Sequence, residues 1–459
     1  MKESLHYLHP LLSTLFLLII FSQCDVFEED RDQPILNLTA QIAPPFPCTD
    51  GLADEEFTCN GIDMFSHVPN DSLLGEQAND IWGWTDPQTN RHYALVGLTD
   101  GVSIVDITRP DSVVVTAKLN EPAFLSDPSS DSILKADQPN TFLHDDGDED
   151  DGKGASLWRD VKVFNDHLFV VSDNQPHGLQ VFDLRRLRDL PDEHPVQLQG
   201  DALYERFGSA HNIAINEESG FAYVVGTNGE TDECGTETSL HMINIQSPLE
   251  PELAGCYSDP NIGNIVRSGY VHDTQCVIYN GPDNDYNREE ICFNSSETNF
   301  SIINVDDKRT PFTLSTETYP DNAYAHQGWL SEDQRYFFLN DELDERNSGA
   351  PTKTYIFDVS DLDDPEFLGP YEHDTFTIDH NLFVKRDLIF QSNYTSGLRV
   401  LRMDESDITN LEPVAFFDTH PSGDEVKFDG TWSNYPFFET GIVIVSDISN
   451  GLFVLSAPR

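Results

Sequence analysis

The feature that most restricts what this chain can fold into is a unit repeated seven times. "YAHQGWL" at 324–330 opens an apolar stretch with a histidine and an amide, and "SAHNIAI" at 209–215, "YVHDTQCVIY" at 270–279 and "IDHNLFV" at 378–384 follow the same plan. Aligned on the polar opening pair, the units begin at Asn79-Asp80, Arg159-Asp160, His211-Asn212, His272-Asp273, His326-Gln327, His380-Asn381 and Ser433-Asn434. From the second unit onward the starts are 52, 61, 54, 54 and 53 residues apart. The first spacing is 80, and the excess falls in an acidic insertion at about residues 120–155 that contains "HDDGDEDDGKG".

Each unit continues with a second apolar strand, such as "YALVG" 93–97 or "YFFLN" 336–340, and a third, such as "GLQVFDL" 178–184. Turns containing proline and a short fourth strand, such as "LAGCYS" 253–258, complete it. Short runs rich in Val, Ile, Phe and Tyr, bounded by Gly, Pro, Asn and Asp, read as strands. Four of them per unit at this period predict an all-β, seven-bladed β-propeller. Helical periodicity is confined to "LRRLRDL" at 184–190, a turn or two. The last unit stops after its third strand, at Ala457-Pro458-Arg459, which would leave an open sheet edge. The predicted donor of the missing strand is "GIDMFSHVP" at 61–69, an N-terminal strand closing the last blade.

Longer stretches carry a resemblance. "NDIWGWTDPQTNRHYALVG", "YNGPDNDYNREEICF", "YAHQGWLSEDQRYFFLNDELDE", "DHNLFV" and "SDISNGLFVLS" closely resemble the bacterial choice-of-anchor B family, whose units are called LVIVD repeats. The likeness runs from about Cys48 to about Ala457. It implies the propeller fold and a place outside the cell, and it brings no assigned chemistry.

The N-terminus supports export. An apolar run, Leu11–Phe21, follows Lys2 and ends near Cys24. It is too short to span a bilayer, which takes about 20 residues, and fits the apolar part of a signal. The stretch looks like a bacterial lipoprotein signal, with Gln23 where a small residue is usual. The expectation is a signal peptide at 1–23, lipidation at Cys24, an acidic tether at 24–47 and the propeller at 48–459. The protein would then sit in the outer membrane or at the surface of a Gram-negative bacterium and touch the membrane through its lipid alone. Six further cysteines suit an oxidising compartment. Proximity in sequence favours Cys48–Cys59, Cys234–Cys256 and Cys276–Cys292 among the alternative pairings. A zinc site is the rival, and the lack of any CxxC pair counts against it.

With 81 acidic against 26 basic residues the net charge is −55, which excludes nucleic acid as a partner. Such acidity fits either a solvated surface suited to high salt or many bound divalent cations.

In a propeller the first strand of each unit is innermost, so the opening pairs gather at one mouth of the central channel. The candidate ligand or metal residues are therefore His211, His272, His326 and His380, with Asp160 and Asp341. His326 and His380, from adjacent blades, with Asp341 are the favoured set for a divalent metal, calcium or a transition metal. The bland alternative is that these side chains satisfy strand-end amides and carbonyls. Asp146, Asp148 and Asp150 form a weaker calcium candidate, since the twelfth position of that loop is Leu157 and not an acid. No G-x-S-x-G, H-E-x-x-H or phosphate-cradling loop is present, so no catalytic residue is nominated. The expected function is a surface binding or scaffold module for an extracellular polymer or protein ligand. The alternative is a metal-dependent lyase or hydrolase acting on an extracellular polymer.

Overall fold

The computed structural model describes residues 42–122 and 158–459, except 175, 192, 229–232, 236–238, 264–267 and 405. The signal segment, Cys24, most of the tether, nearly all of the insertion and the calcium candidates Asp146, Asp148 and Asp150 lie outside the described residues.

Seven sheets form the seven blades, each with its first three strands in sequence order from the inside outward. The inner strands are Ala78–Thr85, Arg159–Phe164, Asn212–Asn216, Asp273–Ile278, Ala325–Leu330, Leu382–Lys385 and Thr431–Tyr435. Each touches its neighbours on both sides, and Thr431–Tyr435 meets Ala78–Thr85 to complete the ring.

The sequence pattern follows from this stacking. A second strand such as His167–Ser172 or Glu290–Ser295 lies between two blades, so every one of its residues is buried. That is why these strands read as continuous apolar runs and do not alternate. Outer strands such as Phe312–Glu317 and Glu366–Glu372 are partly solvated and mixed in character. The apolar cores lie between blades: Val96, Leu98 and Ile81 of the first blade pack with Ile444, Leu452 and Val454 of the seventh. Each such fully buried side chain contributes roughly 1.5–3 kcal/mol.

Met64–Val68 pairs antiparallel with Gly451–Leu455, so the seventh blade takes its outer strand from the N-terminal side of the first blade. Two further pairings extend the sixth and first blades. Leu52–Ala53 and Phe57–Asn60 form a hairpin that extends the sixth blade beyond Glu412–Phe417. Val196–Leu198, from the second unit, runs parallel to the outer strand of the first blade.

All three local disulfides are present. Cys276 and Cys292 face each other across adjacent strands with Cα atoms 4.0 Å apart. Cys234–Cys256 and Cys48–Cys59 have Cα separations of 5.5 and 6.0 Å. Such pairs are the chemistry of a chain folded in an oxidising compartment. Among the described residues no helix is long and apolar enough to cross a membrane.

Candidate functional site

The four histidines do converge. His211 and His272 are 4.5 Å apart between ring centroids, His272 and His326 4.2 Å, and His326 and His380 4.3 Å. The arc continues to Trp432, 4.4 Å from His380, and Trp432 stacks on Trp158 at 4.7 Å. Together these rings border the narrow mouth of the channel.

Trp432 corrects the repeat alignment. Thr431 and Ser433 lie opposite Asp447 and Ser446, with a register shift between them. Ala325 and Gln327 lie opposite Asp341 and Asn340 with the same shift. The counterpart of His326-Gln327 is therefore Trp432-Ser433, one residue earlier than Ser433-Asn434. A β-bulge adds one residue locally, and spacing alone does not reveal it.

Backbone and carboxylate neighbours set the imidazole tautomers. His272 Nδ1 donates to the His326 carbonyl at 2.9 Å, and His380 Nδ1 to the Trp432 carbonyl at 2.6 Å. His211 Nδ1 faces Asp173 Oδ2 at 2.9 Å. The Nε2 atoms of His211 and His272 then meet at 2.8 Å. Two neutral rings so oriented would oppose lone pairs, so the contact calls for one proton or a cation. Burial opposes charge on His211, but Asp173 outweighs it and holds the imidazole above its ordinary range.

His326 and His380 share a different partner from the one expected. Their Nε2 atoms lie 3.6 and 3.7 Å from the two carboxylate oxygens of Glu342. One donor atom from each of the three residues falls within 4.8 Å of the others, and all three are buried. Those gaps are too long for hydrogen bonds and close to the edges of a metal polyhedron with bonds of about 2.0–2.2 Å. Tyr394 donates its hydroxyl to Glu342 Oε1 at 2.7 Å and fixes the carboxylate.

Asp341 does not join this set. Its carboxylate accepts from Tyr319 Oη at 2.8 Å and from the backbone of Ala323 and Tyr324 at 2.7 and 2.8 Å. It fastens the loop that precedes the inner strand of its blade, and burial pushes it up to about 6.

Asp160 lies deeper, in the channel wall. It accepts from Val161 N at 2.8 Å and Ile213 N at 2.7 Å and pairs with Lys162, which also reaches Asp80 at 3.0 Å. Burial, and then the neighbouring Asp80 against the opposing pull of Lys162, raises Asp160 well above the carboxylate range. Burial also raises Asp273 to about 6. Asp80, Asp160 and Asp273 are the second members of their opening pairs, so the channel holds a histidine ring at the mouth and a carboxylate layer beneath it.

Both layers border a cavity of about 460 Å³. Its far part is aromatic: Trp82, Trp329, Phe383, Tyr435 and Phe437 contact one another, and Lys162 Nζ sits 4.8 Å over Trp82. Such a wall accepts apolar faces of a ligand while the carboxylates and imidazoles take its polar groups.

No family model and no curated protein matches the chain. Among solved structures it is similar to the crystal structure of a protein from Lactobacillus plantarum, at 13% identity and a TM-score of 0.47, over 80% of this chain and 88% of that one.

Proposed function

We propose that the protein is an exported, lipid-anchored binding propeller of the choice-of-anchor B kind. It holds a divalent transition-metal ion at the channel mouth and a ligand in the channel behind it. The observation that carries this is the buried His326–Glu342–His380 donor set within 4.8 Å. Mixed imidazole and carboxylate donors suit zinc and its neighbours better than calcium. Hydrogen bonds from His380 Nδ1 and to Glu342 orient the ligands from behind, as built metal sites require.

The test is elemental analysis of full-length protein prepared without chelator or nickel resin, followed by zinc titration calorimetry on wild type and a H326A/H380A double variant. Wild type takes up zinc and the variant does not. Equal uptake by both would overturn the reading. Export and anchoring rest on the 1–24 segment and the disulfides, and mass spectrometry showing an unmodified Cys24 would refute the anchor.

A second reading, a metal-dependent lyase or hydrolase on an extracellular polymer, is favoured by one observation: His326 and His380 border the 460 Å³ cavity, so a substrate there would meet the ion. Turnover of anionic or neutral polysaccharides by zinc-loaded protein, absent from the double variant, separates enzyme from binder.

A further inference from the structure

With the seventh blade aligned on Trp432-Ser433, the inner strands set their side chains in layers down the channel. Among the second members of the opening pairs, Asp80, Asp160 and Asp273 are carboxylates. Two residues further along each strand lies the next layer, about 7 Å deeper. Four of its seven positions are aromatic: Trp82, Trp329, Phe383 and Tyr435. The two layers are lopsided in opposite senses. Carboxylates come from the first, second and fourth blades, and rings from the fifth, sixth, seventh and first. Both sets line the 460 Å³ cavity. The rings form a continuous wall, with Trp329–Phe383 centroids 5.0 Å apart, Phe383–Trp82 5.9 Å and Trp82–Tyr435 5.0 Å.

The chain itself shows how this lining holds an ammonium. Lys162 Nζ lies 4.8 Å from the Trp82 ring centre, 3.0 Å from Asp80 and against Asp160. The negative face of an indole attracts a cation placed over it. Lys162 thus occupies Asp80 and Asp160, and Asp273 is left over. It is half-buried, accepts Thr274 N at 2.6 Å and borders the cavity. Among the described residues no Lys, Arg or His forms an ion pair with it.

The neutral polar groups of the lining are largely committed to neighbouring strands. Gln327 gives both ends of its amide to the backbone of Leu382. Asn212 Nδ2 donates to the His272 carbonyl, and Gln275 Oε1 accepts from Leu330 N. A sugar ring needs several such groups free for its hydroxyls. An anion would meet the charge of Asp273.

We propose that the channel binds an organic ammonium ion, its charged nitrogen at Asp273 and its apolar or aromatic body against Trp82, Trp329, Phe383 and Tyr435. This rests on the reading of the channel as a ligand site and does not require the metal at its mouth. The step between the two layers, about 7 Å, suits an amine joined to a ring by a short carbon arm. The net charge of −55 draws such cations toward the protein.

The experiment is titration calorimetry at pH 8 on full-length protein stripped with EDTA, so that the outcome is independent of the metal. The probes are phenethylamine, its neutral counterpart phenethyl alcohol, the anion hydrocinnamate, and cellobiose. Wild type should bind phenethylamine more tightly than the alcohol, and hydrocinnamate not at all. Asp273→Asn should weaken phenethylamine about tenfold to a hundredfold, as loss of a charged partner does, and leave the alcohol unchanged. Trp329→Leu should weaken both, because the body loses part of its wall. The comparison of probes on wild type stands even if a variant fails to fold. The ammonium assignment is overturned if the alcohol or cellobiose binds as tightly as phenethylamine, or if Asp273→Asn or Trp329→Leu binds phenethylamine as wild type does; the channel then remains a ligand site of another kind. If none of the four probes binds, the reading of the channel as a ligand site falls together with this assignment.

Discussion

Replacing Glu345 with Gln should stabilise the protein, which is unusual for a change at a buried acid. Glu345 is 1% exposed, so solvent screens little of its environment. Its acid strength moves from an ordinary 4.5 to about 10 in the fold. A folded-state value above the unfolded one means that the native protein binds the extra proton, so stability falls as pH rises between those limits. At pH 7 the fold must hold a proton that the unfolded chain has released over roughly 2.5 units, at about 1.36 kcal/mol each, or about 3 kcal/mol. Glutamine keeps the shape and removes this cost. In EDTA, E345Q should therefore exceed wild type by about 2–3 kcal/mol at pH 7 and by almost nothing at pH 4, where both chains are protonated. Urea unfolding midpoints at the two pH values measure this. An E345Q protein no more stable than wild type in EDTA at pH 7, with an unchanged pH slope, would refute the accounting.

Tyr394→Phe removes the hydroxyl that fixes Glu342 and should weaken zinc by about tenfold or more, as loss of an outer hydrogen bond to a ligand does; unchanged affinity in titration calorimetry would count against Glu342 as ligand. Asp173→Asn should lower the His211 titration midpoint in a proton NMR series, since Asp173 outweighs burial there. The sign follows: the raised imidazole adds stability that is complete below 6.5 and lost as pH rises through the folded value, so D173N should lose stability on the acid side only. Deleting residues 25–70 removes the strand paired with Gly451–Leu455 and should lower the melting temperature of the whole ring; an unaltered melting curve would show that the blade does not need it.

The propeller was legible because a blade imposes one chemistry at each radial position. Middle strands are covered on both sides, as in His167–Ser172, so the apolar runs stand out at a fixed period. Equal placement also brings His211, His272, His326 and His380 to one mouth, since equivalent residues of a ring must share a face. What the period does not carry is local. Asp341 and Glu342 are neighbours, and successive side chains at a strand end point opposite ways. Asp341 ends its strand and is held by Tyr319, whereas Glu342 just beyond is held by Tyr394 beside the histidines, a local difference that leaves no mark in composition. Trp432 was hidden by the register shift in the seventh blade, and it is an aromatic ring where its counterparts are imidazoles. The burial of Glu345 and Asp379 is still less visible, because in sequence they belong to acidic stretches that resemble the solvated surface. Of the chain's many acids, folding removes a few from water, and their neighbours in space, which the sequence does not carry, decide what each one does.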